Sequence, residues 1–217
     1  MNIATEEAFL DALSSDLTWR IREISDLKTA AKSSTKSVRT SLVRALLTLG
    51  YAHFEGHIKF SGTIYHKYVA RRKFALKELH PHFVEAQYWR KISKIQSSGI
   101  SFEEFQKLII EMIEHENVRY TKISENFIDT QSNLNSVLLS NICKKCNLDL
   151  SLATSNRDFI DQLLLSRRNS IAHGERVDYE IDDLDDFVDR LIGIMRSFSD
   201  SITNNVTLKS YLRVVHV

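Results

Sequence analysis

The chain has 217 residues, 43% of them hydrophobic, and carries 29 Lys and Arg residues against 28 Asp and Glu residues. A chain of this length can bury one good core, and its balanced charge excludes a surface that is basic all over but not a local basic patch. One proline and six glycines are few chain breakers, so the composition predicts long helices and an all-α fold. No apolar run is long enough to span a bilayer, and the acidic N-terminus does not resemble a signal peptide, which predicts a cytoplasmic protein.

The first half of the chain predicts four helices. Apolar residues recur every three or four positions over residues 5–30, and again from Val38 to about Arg72. Pro81 suits the first turn of a third helix, because its missing N–H has no partner there anyway. Ser101 begins an S-x-x-E pattern, the capping-box spacing that marks the start of a fourth helix.

The second half begins with residues 115–130, whose weak alternation predicts a loop or a short hairpin. Gly174 is a natural stop for the helix that precedes it. We expect one helical domain over residues 1–217, with a helical insert at about 75–115. The remaining helices are predicted over residues 132–146, 157–173 and 181–198.

Two short patterns raise the question of a metal site. Cys143 and Cys146 form a CxxC, but zinc needs four ligands and the chain has no second such pair, so these are predicted to be ordinary helix cysteines. His53 and His57 share a helix face, whereas Glu55 is turned by about 200° from each, which loses the geometry of an HExxH zinc site. No metal is therefore expected. Glu55 is a lone carboxylate in an apolar helix, so it needs a partner if it is buried.

Basic residues cluster near the end of the second predicted helix, at Arg71, Arg72 and Lys73. They are either a solvated helix end, where cations suit the helix dipole, or contacts to an RNA backbone.

The stretch LLLSRRNSIAHGE, residues 163–175, places polar side chains among the apolar residues of a helix. Its leucines indicate packing against a core, whereas Arg167, Arg168, Asn169 and His173 indicate a site. Two interpretations are open. Arg168 and His173 either act on a ligand, or only cap and brace the end of the helix.

Within this stretch, SRRNSIAHGE resembles the R-x4-6-H signature of HEPN domains, the helical domains of many prokaryotic ribonucleases and toxins. The match runs from Arg168 to His173, and Asn169 is the polar residue that the family has directly after its arginine. The stretches LTLGYAHFEGHIK and DTQSNLNSVLLSNICKKCNLDL resemble earlier helices of small stand-alone HEPN proteins found near toxin and defence genes. Some HEPN toxins have H-x-Y, and Glu175 stands at that tyrosine position here, which argues against control by modification of a tyrosine.

The resemblance implies a HEPN-like helical bundle that cleaves RNA without a metal or another cofactor, with Arg168, His173 and Asn169 as catalytic residues. Such cleavage takes a proton from an RNA 2′-hydroxyl and gives one to the leaving 5′-oxygen, and histidine can do either near neutral pH. A guanidinium stabilises the extra negative charge of the phosphorane. We expect Glu55 to lie near Arg168 or Arg167 and to orient it.

One histidine cannot comfortably act as both acid and base, which predicts a homodimer that brings two copies of the motif to one cleft. HEPN relatives assemble a composite site in this way. The resemblance also implies a toxin or defence role, with an antitoxin or another defence-system protein as partner. The alternative function is a non-catalytic HEPN module that binds RNA, a nucleotide or a partner protein.

Overall fold

The computed structural model describes residues 3–114, 117–124, 126–175 and 184–213. The described residues form helices and no named strand, so the predicted all-α fold is confirmed. The α-helices are α1 (Glu6–Ser33), α2 (Lys36–Arg71), α3 (His82–Ser98), α4 (Phe102–Ile113), α5 (Ser136–Lys145), α6 (Ser151–Thr154), α7 (Arg167–Ala172) and α8 (Leu184–Thr207). A 3-10 turn covers Leu76–Glu78, and a π-helix covers Phe159–Ser166.

A buried polar cluster joins α1 to α2. The Nδ1 atom of His57, which has no exposed surface, lies 2.8 Å from Oδ2 of Asp16. Arg20 donates from Nε to the same oxygen at 2.9 Å and from a terminal nitrogen to Asp16 Oδ1 at 3.0 Å. Burial opposes the charged form of Asp16, but the hydrogen bonds from His57 and Arg20 outweigh it and lower the pKa of that carboxyl. The cluster fixes the register of the two helices.

About two turns before His57, α2 packs closely against α8. A Cβ atom at Gly50 would lie 2.9 Å from Cδ2 of Leu191, so the two helices can approach this closely only because residue 50 is glycine. Helices α1 and α8 are joined by an ion pair, in which Nζ of Lys28 lies 3.2 Å from Oδ1 of Asp185. The three long helices thereby enclose most of the apolar core.

The segment that connects α2 to α3 is held on both sides. Leu76 donates its N–H to the carbonyl of Val118, and His80 donates to the carbonyl of Tyr211. These are isolated bridges, so the described part of residues 115–130 is a loop rather than a hairpin.

The CxxC cysteines pack in the core. Cys143 lies in α5 and Cys146 at its C-cap, and both are free thiols. Burial raises the pKa of Cys143 to about 12 and also raises the pKa of Cys146. Among the described residues, no group of three or more His, Cys, Asp and Glu side chains is arranged to hold a metal ion.

Helices α3 and α4 form a hairpin over most of the predicted insert. The capping box is confirmed, because Glu104 donates its N–H to Ser101 Oγ at 3.2 Å and Ser101 donates its N–H to Glu104 Oε2 at 3.1 Å. Helix α4 buries Leu108 and leaves an apolar face in solvent. The single domain over residues 1–217 with an insert at about 75–115 stays a prediction. The exposed apolar residues of α4 are Phe102, Phe105, Ile109, Ile110 and Ile113.

Three features differ from the sequence-based expectations or fall outside the described residues. Helix α6 was not expected, and the predicted helix over residues 157–173 is partly a π-helix. The expected start of the last helix at residue 181 lies outside the described residues, and α8 continues to Thr207. In the described part of the chain, no helix combines the length and apolarity that crossing a membrane requires.

Replacing Asp16 with alanine is predicted to lower the free energy of unfolding by about 3 kcal/mol, because His57 and Arg20 would lose their shared buried acceptor. Chemical denaturation measures this change. Asp11→Ala, at an exposed position of α1, is the matched control and should change stability by less than about 0.5 kcal/mol. Equal effects of the two substitutions would contradict the structural role of the cluster.

Candidate functional site

The site is built on a helix that changes its hydrogen-bonding pattern. The π-helix Phe159–Ser166 continues directly into α7, and its wider i→i+5 turns bury Phe159, Ile160 and Leu164. Residues 167–171 of α7 are half-buried. Wider turns rotate everything that follows relative to an ideal α-helix, so a helical wheel drawn from the sequence does not give the direction of Arg168.

Arg168 is held firmly by contacts within the chain. Its guanidinium carbon lies 4.2 Å from the centre of the Tyr51 ring, a cation–π contact with α2. One terminal nitrogen donates to the carbonyl of Ser132 at 2.8 Å and to Oδ1 of Asn133 at 3.2 Å. The Nε atom is buried and has no hydrogen-bond partner among the described residues. Arg168 therefore presents a positive charge in a fixed orientation.

The acceptors for Arg168 belong to a tight turn at residues 130–133. Gln131 and Ser132 adopt left-handed backbone conformations with φ of 52° and 55°, which L-residues rarely do. Thr130 donates from Oγ1 to Oε1 of Glu55 at 2.6 Å, so a side chain of α2 also holds this turn in place.

Glu55 and Arg168 meet at Tyr51. Burial is the main reason that the pKa of Tyr51 is raised to about 12. The Glu55 carboxylate also raises this pKa, whereas Arg168 lowers it. The phenol is therefore neutral, and both charges act on it. The hydrogen bond that Glu55 accepts comes from Thr130 rather than from an arginine, and the expected orientation of Arg168 by Glu55 stays a prediction. Whether Glu55 supports function stays a prediction.

His173 lies at the C-cap of α7 and is exposed. Its N–H donates to the carbonyl of Asn169 at 2.9 Å, and Gly174 follows with φ of 81°, the left-handed value that favours glycine at a helix end. Arg44 of α2 donates to the carbonyl of Glu175 at 2.7 Å and fastens this end of the helix. The imidazole is thus free to meet a ligand while its backbone is fixed.

Two predicted residues lie on the same short helix as Arg168 and His173. Arg167 and Asn169 are both half-buried. The described contacts give Asn169 one clear role, the backbone carbonyl that accepts from His173. Functional roles for both side chains stay predictions.

The basic cluster at Arg71, Arg72 and Lys73 is not part of this arrangement. Arg71 follows Tyr51 by 20 residues of the same helix, a separation of about 30 Å at 1.5 Å per residue. Arg72 stacks on the Tyr68 ring with 4.3 Å between the guanidinium carbon and the ring centre, and it donates to the Tyr68 hydroxyl at 2.6 Å. RNA contact by these residues stays a prediction for a second surface.

Four residues that hold the site were not predicted from the sequence: Tyr51, Arg44, Thr130 and Asn133. Tyr51 had a detectable signal, because it precedes Glu55 by four residues and so shares its helix face. The turn at residues 130–133 has no such sequence signal, since no glycine marks its left-handed positions, Gln131 and Ser132.

The fold agrees with the comparison against known families. The model of the HEPN_MAE_28990-like HEPN family matches residues 9–211, nearly the whole chain. The chain therefore belongs to the HEPN family, whose members generally have nuclease or RNA-related functions and often dimerise. Neither the curated proteins nor the solved structures contain a match.

The two signature residues are predicted to differ sharply in their effect on stability. Arg168→Ala should lower the free energy of unfolding by about 1.5 kcal/mol, because Ser132 and Asn133 lose a charged donor. His173→Ala should change it by less than about 0.5 kcal/mol, since the side chain is exposed. Chemical denaturation of the two variants tests this. A large loss for His173→Ala would favour the interpretation that both residues only brace the helix end.

Proposed function

We propose that this protein is a metal-independent RNA endonuclease of the HEPN type. Membership of the family supports an RNA-related role, and one observation carries the proposal further. The signature histidine is exposed at a rigid helix end, while the signature arginine is fixed five residues before it. A purely structural pair would not need the histidine in solvent. A toxin or defence role in the cytoplasm belongs to the same proposal.

The reaction follows from what these groups can do. The 2′-oxygen of RNA loses its proton to a neutral imidazole and attacks the adjacent phosphorus. The bond from phosphorus to the 5′-oxygen then breaks, and an imidazolium protonates that oxygen. The products are a 2′,3′-cyclic phosphate and a 5′-hydroxyl. Arg168 and Arg167 stabilise the charge of the phosphorane, and Asn169 orients His173 or binds a phosphate oxygen.

The acid and the base in this scheme are the two His173 residues of a homodimer. A twofold axis beside α7 brings both His173 residues to one cleft, where one acts as base and the other as acid, because an isologous interface repeats every contact. The exposed side of α7, which ends in Ala172 and His173, is the surface that this arrangement would use.

The alternative is a HEPN module that binds RNA, a nucleotide or a partner protein without cleaving anything. One observation favours this alternative: the hydrogen bonds of Arg168 to Ser132 and Asn133 occupy a donor that would otherwise face a phosphate. An antitoxin or another defence-system protein would be the partner in either case.

Cleavage of RNA in excess EDTA is predicted for the wild type and should be abolished by His173→Ala. The expected loss is at least about 100-fold, the usual contribution of a general acid or base. An RNA that carries 2′-deoxyribose at the cleavage position should resist the wild type. The control is His80→Ala, which changes another histidine away from the site. Binding of RNA without cleavage would establish the alternative instead.

Mixed subunits test the homodimer. Wild type that exchanges subunits with an excess of His173→Ala protein should lose activity as the square of its own fraction, because each cleft needs two intact histidines. The same excess of Arg196→Ala protein, changed at an exposed residue of α8, should add activity. A loss in simple proportion to dilution, or full activity of a monomer, would contradict the shared cleft.

A further inference from the structure

A groove of about 760 Å³ runs along α2 on the side of the helix beyond Glu55. The segment at residues 121–123 forms its other wall. Four cations line it: Lys59, Lys67 and Arg71 from α2, and Lys122 from the opposite wall. We call this the basic groove.

The three lysines of the basic groove lack counterions in the described part of the chain. No acidic residue is found among its described lining residues, and Lys59, Lys67 and Lys122 make no ion pair with a described residue. The three lysine side chains are exposed. Since the protein as a whole has a net charge of only +1, this is a local concentration of charge that attracts an anion.

The floor of the basic groove is apolar. Phe60 and Ile123 are half-buried and face the groove together with Ile64. A row of cations above an aromatic and aliphatic floor suits a ligand with alternating charged and flat apolar parts. A small inorganic anion would leave that floor unused, and a duplex would keep its bases out of reach.

Three cations and one threonine form a row along α2 that is long enough for a polymer. Lys59, Thr63, Lys67 and Arg71 follow one another at intervals of four residues, so each lies about 6 Å further along the axis and next to its neighbour on the helix surface. From Lys59 to Arg71 the row covers about 18 Å. A single nucleotide would fill only part of this length.

The same row leads back to the candidate site. Continued toward the N-terminus of α2 in steps of four, it passes Glu55 and reaches Tyr51, which carries Arg168 on its ring. Each step also turns by about 40°, so the path winds from the site into the basic groove. Along this path the Glu55 carboxylate is held in one position by the hydrogen bond from Thr130.

From these observations we propose that the basic groove binds single-stranded RNA and guides the strand to Arg168 and His173. The proposal rests on the proposed function and names its substrate as an unpaired strand that contacts the protein well beyond the cleavage position. Phosphates contact Lys59, Lys67, Arg71 and Lys122, and a base stacks on Phe60.

The test uses the full-length His173→Ala protein, so that RNA stays intact, and measures anisotropy of a labelled unstructured RNA at several salt concentrations. Adding Lys59→Ala and Lys67→Ala should weaken binding at least about tenfold and reduce the salt slope by about 1.4, the release expected for two phosphates of a single strand. The matched control, Lys144→Ala with Arg196→Ala, removes two exposed positive charges elsewhere. An effect of the control as large as that of the groove variant would overturn the proposal.

A second variant separates bases from charge. Phe60→Ala should weaken RNA binding but leave the binding of inorganic polyphosphate unchanged, and circular dichroism verifies that the variant is folded. Equal binding of RNA, polyphosphate and an acidic peptide would overturn the assignment to RNA.

The outcomes distinguish this proposal from the proposed function. If the wild type does not cleave RNA and the lysine variant still loses binding, the groove stands and the nuclease fails. If the wild type cleaves RNA and the lysine variant binds it normally, the nuclease stands and the groove fails.

Discussion

The rotation of one long helix organises this molecule. An α-helix turns by about 100° per residue, and the 36 residues of α2 use that turn to give each neighbour a different set of side chains. His57 faces the acid of α1, Gly50 admits α8, and Tyr51 receives Arg168 from α7. One rigid element therefore carries all three contacts.

The arginine and the histidine of the signature have opposite surroundings. Arg168 is stacked, hydrogen-bonded and half-buried, whereas His173 has a fixed backbone and a side chain in solvent. A charge that is already oriented needs no rearrangement when a phosphate arrives. Enzymes stabilise developing charge in this way without a free-energy cost of reorganisation during the reaction. A histidine in solvent is useful only when a second surface covers it, which a partner protomer or a bound strand would provide.

Patterns that depend on neighbours in sequence could be predicted, and those that depend on distant contacts could not. The capping box at Ser101 and the separation of Glu55 from His57 follow from helix geometry alone, and the structure agrees with both. The π-helix that begins at Phe159 has no sequence signature in its apolar residues. The left-handed turn at Gln131 is stabilised by Glu55 through Thr130 and by Arg168, partners that are distant in the chain.

The buried thiols of Cys143 and Cys146 allow the local unfolding of α5 to be measured by chemical labelling. Alkylating reagents react with thiolates, so raised pKa values and burial both protect these cysteines in the native state. Modification then requires that α5 first leaves the core, and the labelling rate measures how often it does so. The turn that holds Arg168 directly precedes α5. Slow labelling of the two thiols would therefore mean that α5, the helix that follows the turn holding Arg168, seldom leaves the core.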